Sequence, residues 1–440
     1  MWIGFQDDPG YRWAPDRADL IQQSADAGAN IMRTTVYWDQ AASKKPANAR
    51  DSDDPAYHFE DLDEFVRNAQ ANSMEVLLTI WATPLWANGG KGRNVAPTRS
   101  SDLADFAYAL ASRYSGRSLE FPYVRFYSIW NEPNLNQFLA PQFKNGRPNS
   151  PHVYALLARA AYGAIKSANP GALVAIGETS PRGHDRPTKG VQDSLSPGNF
   201  AELLSRERPR LRFDAWAHHP YVPFGRPPTM KMRWPDVPLS NLKRFETSLD
   251  SWFGRKNTPL WVTEYAHETR PENPKGTTYS KQAVYLKQAL AMTRSDDSVK
   301  MFIWFVFEDN SNSPWKSGLV RSNGTPKPSL AAFESLAPAL DARNSLLTVK
   351  AGVANPLVRF LVRGIALHAT VGEQVGITYR IYDKSDFIYI SQTATQLSAD
   401  ATVAFRPNLV PVKGHTYMIR LSANDIHGDV VDRVITLVAS

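Results

Sequence analysis

Cysteine is absent from the sequence of 440 residues. Its absence excludes disulfide bonds, thiol nucleophiles and metal sites with cysteine ligands. It does not decide the cellular compartment, because exported proteins without cysteine also exist.

Long hydrophobic runs and blocks of like charge are also missing. No stretch approaches the roughly 18 uninterrupted apolar residues of a membrane helix, so we expect no membrane partner. The 50 lysines and arginines exceed the 43 aspartates and glutamates, but they form neither a basic block nor a zinc-finger pattern. This distribution indicates a basic soluble surface and no nucleic-acid partner.

The start of the chain shows no signal peptide. Met1 is followed at once by "WIGF", which already has the composition of a β-strand. We therefore interpret the chain as a mature form whose leader has been removed, and we expect a secreted or extracytoplasmic protein.

Tryptophan divides the sequence into two parts. All 12 tryptophans lie between Trp2 and Trp315, and the helical periodicity ends near residue 344. Seven short alternating runs then follow, from "LLTVKAGV" to "VVDRVITLVA", and they predict an immunoglobulin-like or fibronectin-like β-sandwich. The predicted domains are therefore residues 1–343 and a C-terminal module of residues 344–440.

The first part alternates strands with helices. Eight strand candidates and eight helix candidates are the count of a (β/α)₈ barrel. The predicted strands are 2–5, 30–36, 75–80, 124–130, 173–177, 214–218, 260–263 and 300–305, and the predicted helices are 17–28, 61–72, 102–114, 152–168, 199–207, 240–254, 280–294 and 328–338. A doubly wound open sheet normally has a glycine-rich phosphate loop after its first strand, and "IGFQDDPGYRW" contains none. We predict an α/β chain, in which a (β/α)₈ TIM barrel is followed by an all-β sandwich.

Acids, aromatics, histidines and an arginine collect where the predicted strands end, which is where the active site of such a barrel lies. These residues are Gln6, Asp7, Asp8, Arg33, Tyr37, Trp38, Trp81, Asn131, Glu132, Glu178, His218, His219, Tyr221, Glu264 and Trp304. Two carboxyl groups facing each other across a barrel mouth are what glycoside hydrolysis requires. One carboxyl group, whose pKa is raised by a partly dry site and a neighbouring negative charge, protonates the leaving oxygen, and the other stays ionised and attacks the anomeric carbon. Sequence positions do not give the separation of the two groups, so the stereochemical outcome stays open at this point.

Two motifs resemble those of glycoside hydrolase clan A, especially families 5 and 39. They are "WNEPN" after the fourth strand and "WVTEYA" at the seventh, and the resemblance covers about residues 1–340. It implies a retaining hydrolase with its acid/base on strand four and its nucleophile on strand seven. Carried over by motif, Glu132 is the acid/base and Glu264 the nucleophile.

The resemblance also implies supporting roles. Asn131 is expected to bind the sugar hydroxyl next to the anomeric carbon. Arg33 is expected to pair with Glu264, and Tyr221 to donate to the same carboxylate. His219, two residues before Tyr221, is expected to orient this group or the substrate.

The aromatic residues and the remaining acids have less definite roles. We expect Trp304 to form the floor on which a sugar ring stacks. Four other tryptophans at or after strand ends either bind substrate or pack in the core: Trp38, Trp81, Trp86 and Trp315. Glu178 and Asp7 either bind sugar hydroxyls or make local caps and ion pairs.

Each candidate also has an ordinary structural interpretation. Glu132 could belong to a turn, Glu264 to a surface ion pair, and Arg33 to a structural salt bridge. His218 and His219 could be core histidines. A zinc site at this histidine pair has no third ligand at a suitable spacing.

We predict a retaining glycoside hydrolase that cleaves O-glycosidic bonds of carbohydrates by double displacement. It is expected to need no cofactor or metal and to act as a monomer. The alternatives are a transglycosylase that uses the same carboxyl pair and a non-catalytic sugar-binding protein on a decayed barrel. Four long segments after strands predict a deep pocket or walled cleft and an exo-acting or short-oligosaccharide enzyme: 37–60, 133–151, 178–198 and 220–238.

Overall fold

Two compact units make up the protein. The computed structural model describes residues 1–72, 74–116, 121–336, 346–354, 358–361, 374–383, 388–398, 402–405, 409–424 and 430–440. The first unit consists of Met1–Phe65, Glu75–Arg113 and Val124–Ala337, and the second of Val66–Met74, Tyr114–Tyr123 and Pro338–Ser440.

The first unit contains a closed barrel of eight parallel strands. Neighbours around the barrel follow the order β1-β8-β7-β6-β5-β4-β3-β2. The strands are β1 (Trp2–Gln6), β2 (Ile31–Tyr37), β3 (Glu75–Trp81), β4 (Phe126–Ile129), β5 (Leu173–Thr179), β6 (Ala215–His218), β7 (Leu260–Tyr265) and β8 (Val299–Phe305). Nearly every residue in them is buried, as expected for parallel strands that are covered on both faces.

A helix follows each of these strands. They are α1 (Arg17–Asp26), α2 (Glu60–Ala71), α3 (Ser100–Arg113), α4 (Ser150–Ala168), α5 (Pro197–Ser205), α6 (Leu242–Phe253), α7 (Tyr279–Arg294) and α8 (Pro328–Glu334). Local signals define their ends. The side chain of Thr278 caps α7 by accepting a hydrogen bond from the backbone N–H of Lys281, and α6 ends at Gly254 with a left-handed φ of 63°.

All eight predicted strands and all eight predicted helices have a counterpart within a few residues. The prediction of a (β/α)₈ TIM barrel is therefore confirmed. Short elements in the connections add to it: a π-helical turn at Pro9–Trp13, helical turns at Trp38–Ala41 and Leu85–Asn88, and a 3₁₀ turn at Leu239–Asn241.

A buried ion pair joins the segment after β8 to the start of α8. Lys327 Nζ lies 2.6 Å from Asp309 Oδ2, with side chains 0% and 2% exposed. Lys327 also donates a hydrogen bond to Thr269 Oγ1 at 2.8 Å. Each of the two buried charges thus has a partner of opposite charge, which offsets the cost of removing it from water.

The second unit contains two β-sheets. A five-stranded sheet has the order β9-β15-β14-β11-β12, and β10 pairs with β13 in a two-stranded sheet. The strands are β9 (Leu346–Val349), β10 (Val358–Leu361), β11 (Gln374–Asp383), β12 (Ile388–Ser398), β13 (Thr402–Phe405), β14 (Thr416–Asn424) and β15 (Val430–Ala439). They correspond to the seven predicted runs, so the expectation of an all-β module after the barrel is also confirmed. The predicted boundary at residues 343–344 lies outside the described residues.

In the described part of the chain, no helix has both the length and the hydropathy that are needed to span a membrane.

Candidate active site

Glu132 and Glu264 lie at the same end of the barrel. Glu264 is the penultimate residue of β7, and Glu132 follows β4 by three residues. The backbone turns sharply between β4 and Glu132, since Trp130 and Glu132 have φ values of 72° and 37°. Both glutamate side chains are 14% exposed, and both line one cavity of about 1160 Å³.

His219 lies between the two carboxyl groups. Its Nδ1 is 3.0 Å from Glu132 Oε1 and 3.6 Å from Glu264 Oε2. The ring itself is fully buried. Since one nitrogen is close to both groups, Glu132 and Glu264 face each other across the barrel mouth.

Glu264 is held by two donors. Arg33 Nη1 donates to Glu264 Oε1 at 2.6 Å, and the hydroxyl of Tyr221 donates to Oε2 at 3.0 Å. Arg33 is fully buried on β2, and its other terminal nitrogen donates to Asn131 Oδ1 at 3.1 Å. The guanidinium therefore orients Glu264 and Asn131 together.

Glu132 occupies a different electrostatic environment. Burial raises its pKa, the hydrogen bond with His219 opposes this rise, and the nearby charge of Glu264 adds to it. A carboxyl group with a raised pKa retains its proton more readily and is suited to act as an acid.

His219 carries a strongly raised pKa. Burial alone would lower it, but the carboxylates of Glu264, Glu132 and Glu178 outweigh burial and raise the pKa of His219 to about 10. Both ring nitrogens face a carboxyl group, because Nε2 lies 2.7 Å from Glu178 Oε2. The imidazole is therefore held in its doubly protonated form.

Glu178 lies behind the catalytic candidates. Its side chain is fully buried and does not line the cavity. Besides His219, Oε2 accepts hydrogen bonds from Thr263 Oγ1 at 2.8 Å and from Arg33 Nη2 at 3.3 Å. Burial opposes ionisation, but Arg33 and His219 outweigh it and lower the pKa of Glu178 to about 2. Of the two interpretations of Glu178, sugar binding and a local ion pair, the ion pair is the correct one, because the side chain is fully buried and its Oε2 contacts Arg33 and His219.

His218 is a core histidine. Its Nδ1 lies 2.8 Å from Thr179 Oγ1, its Nε2 lies 2.7 Å from the Val237 carbonyl oxygen, and it does not line the cavity. Burial lowers its pKa to about 3, so the ring is neutral. Of the two interpretations of His218, a site residue at a strand end and a core histidine, the core histidine is the correct one.

Two predicted sugar-binding tryptophans also lie in the core. Trp304 is fully buried, and its Nε1 donates to the Ser317 carbonyl oxygen at 2.9 Å. Trp38 is fully buried as well and stacks on Phe106 with ring centroids 5.6 Å apart. Neither residue lines the cavity. Since consecutive strand residues point to opposite faces, it is Phe305, next to Trp304, that reaches the cavity.

Asp7 is also turned away from the cavity. Its Oδ2 accepts the backbone N–H of Glu308 at 3.0 Å, and its Oδ1 accepts that of Gly10 at 3.3 Å. The neighbouring Asp8 does line the cavity.

An aromatic wall forms one side of the cavity. We use this name for Trp13, Tyr37, Trp81 and Phe138, which all line it. Successive ring centroids are 6.3 Å, 5.9 Å and 5.2 Å apart. The guanidinium of Arg93 lies 4.8 Å from the ring centroid of Trp81.

Sequence reasoning found only part of this wall. It identified Tyr37 and Trp81 because both end barrel strands, and it missed Trp13 and Phe138, which lie in loops. "PGYRW" and "NLNQF" each place an aromatic residue a few positions after a strand end, and that proximity was the available signal. On other parts of the cavity lining lie Phe224, Phe305 and Trp315, of which only Trp315 was a candidate. Trp86 does not line the cavity.

The described residues contain no group of three or more histidine, aspartate or glutamate side chains that could hold a metal ion.

The chain is similar to known proteins in its sequence profile and in its fold. The sequence profile of one family, Cellulase (glycosyl hydrolase family 5), matches residues 2–307. A comparison with curated protein sequences finds no significant match.

Solved structures of similar fold include the following three enzymes. A family 39 glycoside hydrolase from the gut symbiont Bacteroides cellulosilyticus WH2 is 19% identical, with 92% of this chain and 80% of that chain covered and a TM-score of 0.52. A glucosidase from Croceicoccus marinus is 13% identical, with 98% and 94% covered and a TM-score of 0.57. A monomeric β-xylosidase from Caulobacter crescentus CB15 is 14% identical, with 96% and 94% covered and a TM-score of 0.53. Identities this low show a common fold.

Proposed function

Because the chain belongs to glycosyl hydrolase family 5, and is therefore a glycoside hydrolase of clan A, we propose that it cleaves O-glycosidic bonds with retention of configuration. The resemblance inferred from "WNEPN" and "WVTEYA" is confirmed by this membership. The observation that carries the retaining mechanism is the position of His219 between Glu132 and Glu264. Because His219 Nδ1 lies 3.0 Å from Glu132 Oε1 and 3.6 Å from Glu264 Oε2, these two carboxylate oxygens cannot be farther apart than the sum of the two distances. Such proximity favours the short spacing of retaining enzymes, about 5–5.5 Å, over the about 6.5–9.5 Å of inverting enzymes.

The first displacement uses both groups. Glu264, oriented by Arg33 and Tyr221, attacks the anomeric carbon. Glu132 gives its proton to the glycosidic oxygen, so that the C–O bond breaks and the leaving group departs as an alcohol. The products of this step are a covalent glycosyl ester on Glu264 and an ionised Glu132.

The second displacement reverses the roles. Glu132, now ionised, removes a proton from water, and the water oxygen attacks the anomeric carbon of the ester. Glu264 leaves as a carboxylate and Glu132 regains its proton. Asn131, held by Arg33, hydrogen-bonds the hydroxyl next to the anomeric carbon and stabilises both transition states.

The substrate is a carbohydrate of several sugar units. What supports this is the aromatic wall, since pyranose C–H faces pack well against indole and phenol rings. The wall runs from Phe138, near the loop that carries Glu132, outward to Trp13, which is 49% exposed. A chain of sugars can therefore lie along it while one ring occupies the site of bond cleavage. A part in polysaccharide degradation and secretion of the enzyme belong to the same proposal, since a polymer too large to enter a cell has to be cleaved outside it.

The enzyme acts as a monomer, as the name of the Caulobacter crescentus β-xylosidase states for that protein. Light scattering coupled to size-exclusion chromatography checks this, and the mass of one chain is expected. A mass of two or more chains would contradict it.

The test of the mechanism combines substrate screening with two variants. Nitrophenyl glycosides and polysaccharides are screened first, and the anomeric form of the first product is determined by NMR. We expect retention, a loss of kcat of about 10⁴-fold or more in Glu264→Ala, and a loss of about 10²–10⁴-fold in Glu132→Ala. Glu64→Ala, whose side chain is 43% exposed in a surface ion pair, is the control and should keep full activity.

Azide distinguishes the two roles. It should restore turnover in both variants, giving a glycosyl azide of inverted configuration in Glu264→Ala and of retained configuration in Glu132→Ala. Full activity in either variant, or an inverted first product in the parent enzyme, would contradict the proposal. A product in which an added sugar acceptor replaces water would favour transglycosylation.

A further inference from the structure

A local distortion of β5 brings Glu178 to its position. The pairing of β5 with β6 skips a residue between Gly177 and Thr179, and Glu178 has a left-handed φ of 47°. Gly177 has a φ of 101°, and a Cβ there would lie 2.6 Å from the ring of Trp216. Bulges of this kind redirect side chains next to active sites, and strained backbone is retained where function requires it. The distortion thus directs attention to the side chain of Glu178.

That side chain contacts the two cations that hold the proposed catalytic pair. Arg33 donates to Glu178 and to Glu264. His219 lies between Glu178 and Glu132. The backbone carbonyl of Glu178 also accepts the N–H of Glu132 at 2.9 Å.

We propose that Glu178 is a positioning residue for both catalytic carboxyl groups, acting on Glu264 through Arg33 and on Glu132 through His219. This inference rests on the proposed function, because it presupposes the roles of Glu132 and Glu264. It assigns Glu178 no contact with substrate.

The geometry also gives Glu178 control over the proton of Glu132. An ionised Glu178 can only accept, so His219 must donate from Nε2. A second proton on Nδ1 makes the ring a cation that donates to Glu132 as well. Such a ring cannot accept the proton of Glu132, whereas a neutral ring with a free Nδ1 lone pair would compete for it. Glu132 then presents its own proton to the glycosidic oxygen.

The charges of the cluster balance in this state. Arg33 and His219 are positive, Glu178 and Glu264 are negative, and the protonated Glu132 is neutral. Titratable groups from several strands and loops face His219, and the carboxyl groups of Glu132, Glu178 and Glu264 are among them. They are Glu132 after β4, Glu178 on β5, His218 and Tyr221 at the end of β6, and Glu264 on β7, with Arg33 on β2 beyond Glu178. Loss of the Glu178 charge leaves an excess of positive charge, so the imidazole should release its proton at a lower pH.

The experiment compares Glu178→Gln with a matched control. Asp309→Asn removes another buried carboxylate of the same barrel, which is the partner of Lys327. Asp309 does not line the cavity. Histidine labelled with ¹³C and ¹⁵N reports the titration of each of the nine imidazoles, and His219→Asn assigns the signal. Activity is followed with the best nitrophenyl glycoside of the screen.

We expect the titration of His219 to shift to lower pH by at least about one unit in Glu178→Gln, because an anion 2.7 Å away is removed. We also expect kcat to fall by about 10–100-fold, as is typical when a supporting partner of an active-site group is lost. Asp309→Asn should lower the Tm while leaving the His219 titration unchanged.

An unchanged His219 titration in folded Glu178→Gln would overturn the proposal. A loss of activity no larger than that of Asp309→Asn would do the same. If Glu178→Gln does not fold, Glu178→Asp replaces it. This variant keeps the negative charge, but its side chain is shorter by one methylene. We therefore expect kcat to fall while His219 stays protonated near neutral pH. An unchanged kcat in Glu178→Asp would refute the proposal. Full activity in Glu132→Ala or Glu264→Ala would instead refute the proposed function, whatever His219 does.

Discussion

Asp7 Oδ2 accepts the backbone N–H of Glu308 at 3.0 Å, and this hydrogen bond joins the end of β1 to the segment after β8. It thus links the first and last strands where the barrel closes. Burial raises the pKa of Asp7 to about 7, and the hydrogen bonds from Glu308 and Gly10 offset this only in part. The acidic side chain at this junction therefore titrates within the range in which enzymes are assayed.

The sign of the resulting pH effect follows from proton binding. Between about pH 4 and pH 7 the folded protein keeps a proton on Asp7 that the unfolded chain releases. The contribution of Asp7 to stability therefore decreases as pH rises through this window, by up to about 4 kcal/mol. In Asp7→Asn this decrease should vanish, so the free energy of unfolding should fall less between pH 5 and pH 7 than in the parent. Denaturant titrations at several pH values measure the free energy of unfolding. The control is Asp53→Asn, because the side chain of Asp53 is 75% exposed. Parallel curves for parent and Asp7→Asn would refute the prediction.

Arg33 should not be replaceable by lysine. Its two terminal nitrogens reach Glu264, Asn131 and Glu178, whereas a lysine ammonium is a single point of charge. We expect Arg33→Lys to lower kcat by about 10–100-fold and also to lower the Tm. Arg17→Lys, in a surface pair with a side chain 33% exposed, should change neither. Steady-state kinetics and thermal melts decide the matter, and near-parent kcat in Arg33→Lys would contradict the proposed orientation of Glu264.

The pH profile should depend on Glu132. The acid must be protonated in the first displacement, so kcat/KM should decrease as pH rises through the raised pKa of this group. Glu132→Ala should lose that basic limb when it is assayed with a dinitrophenyl glycoside, whose leaving group needs no proton. The same basic limb in parent and variant would show that another group causes it.

The aromatic wall should matter more for long substrates than for short ones. Trp13 lies at its exposed outer end, beyond Tyr37. We expect Trp13→Ala to raise KM for tri- and tetrasaccharides by about 3–10-fold, the value of one aromatic contact. Activity on a nitrophenyl monosaccharide should stay unchanged. Leu85→Ala, 63% exposed and outside the cavity lining, serves as the control. An equal effect of Trp13→Ala on short and long substrates would argue against the proposed wall.

Sequence patterns were sufficient for the barrel and for the positions of its glutamates. Strand and helix periods are local properties, and the polar residues at strand ends have few structural reasons to be there. The directions of side chains were harder to obtain. Trp304 and Phe305 are neighbours on β8, and only the exact register decides which of them faces the cavity.

Glu178 shows a second limit of sequence reasoning. Nothing in "AIGETS" tells a carboxylate that binds sugar from one that holds two buried cations. The distinction depends on Arg33 and His219, which come from distant parts of the chain. Trp13 was missed because loop conformations carry no periodic signal.

The bulge at Gly177–Thr179 has a consequence for comparing enzymes of this family. A side chain on the residue before the glutamate would collide with the ring of Trp216, so the tripeptide Gly-Glu-Thr at the end of the fifth strand serves as a compact marker of this bulge. Family members that carry this marker should share the balanced charges around the histidine. Members without it must neutralise that ring by other means, and their optimum pH should differ accordingly.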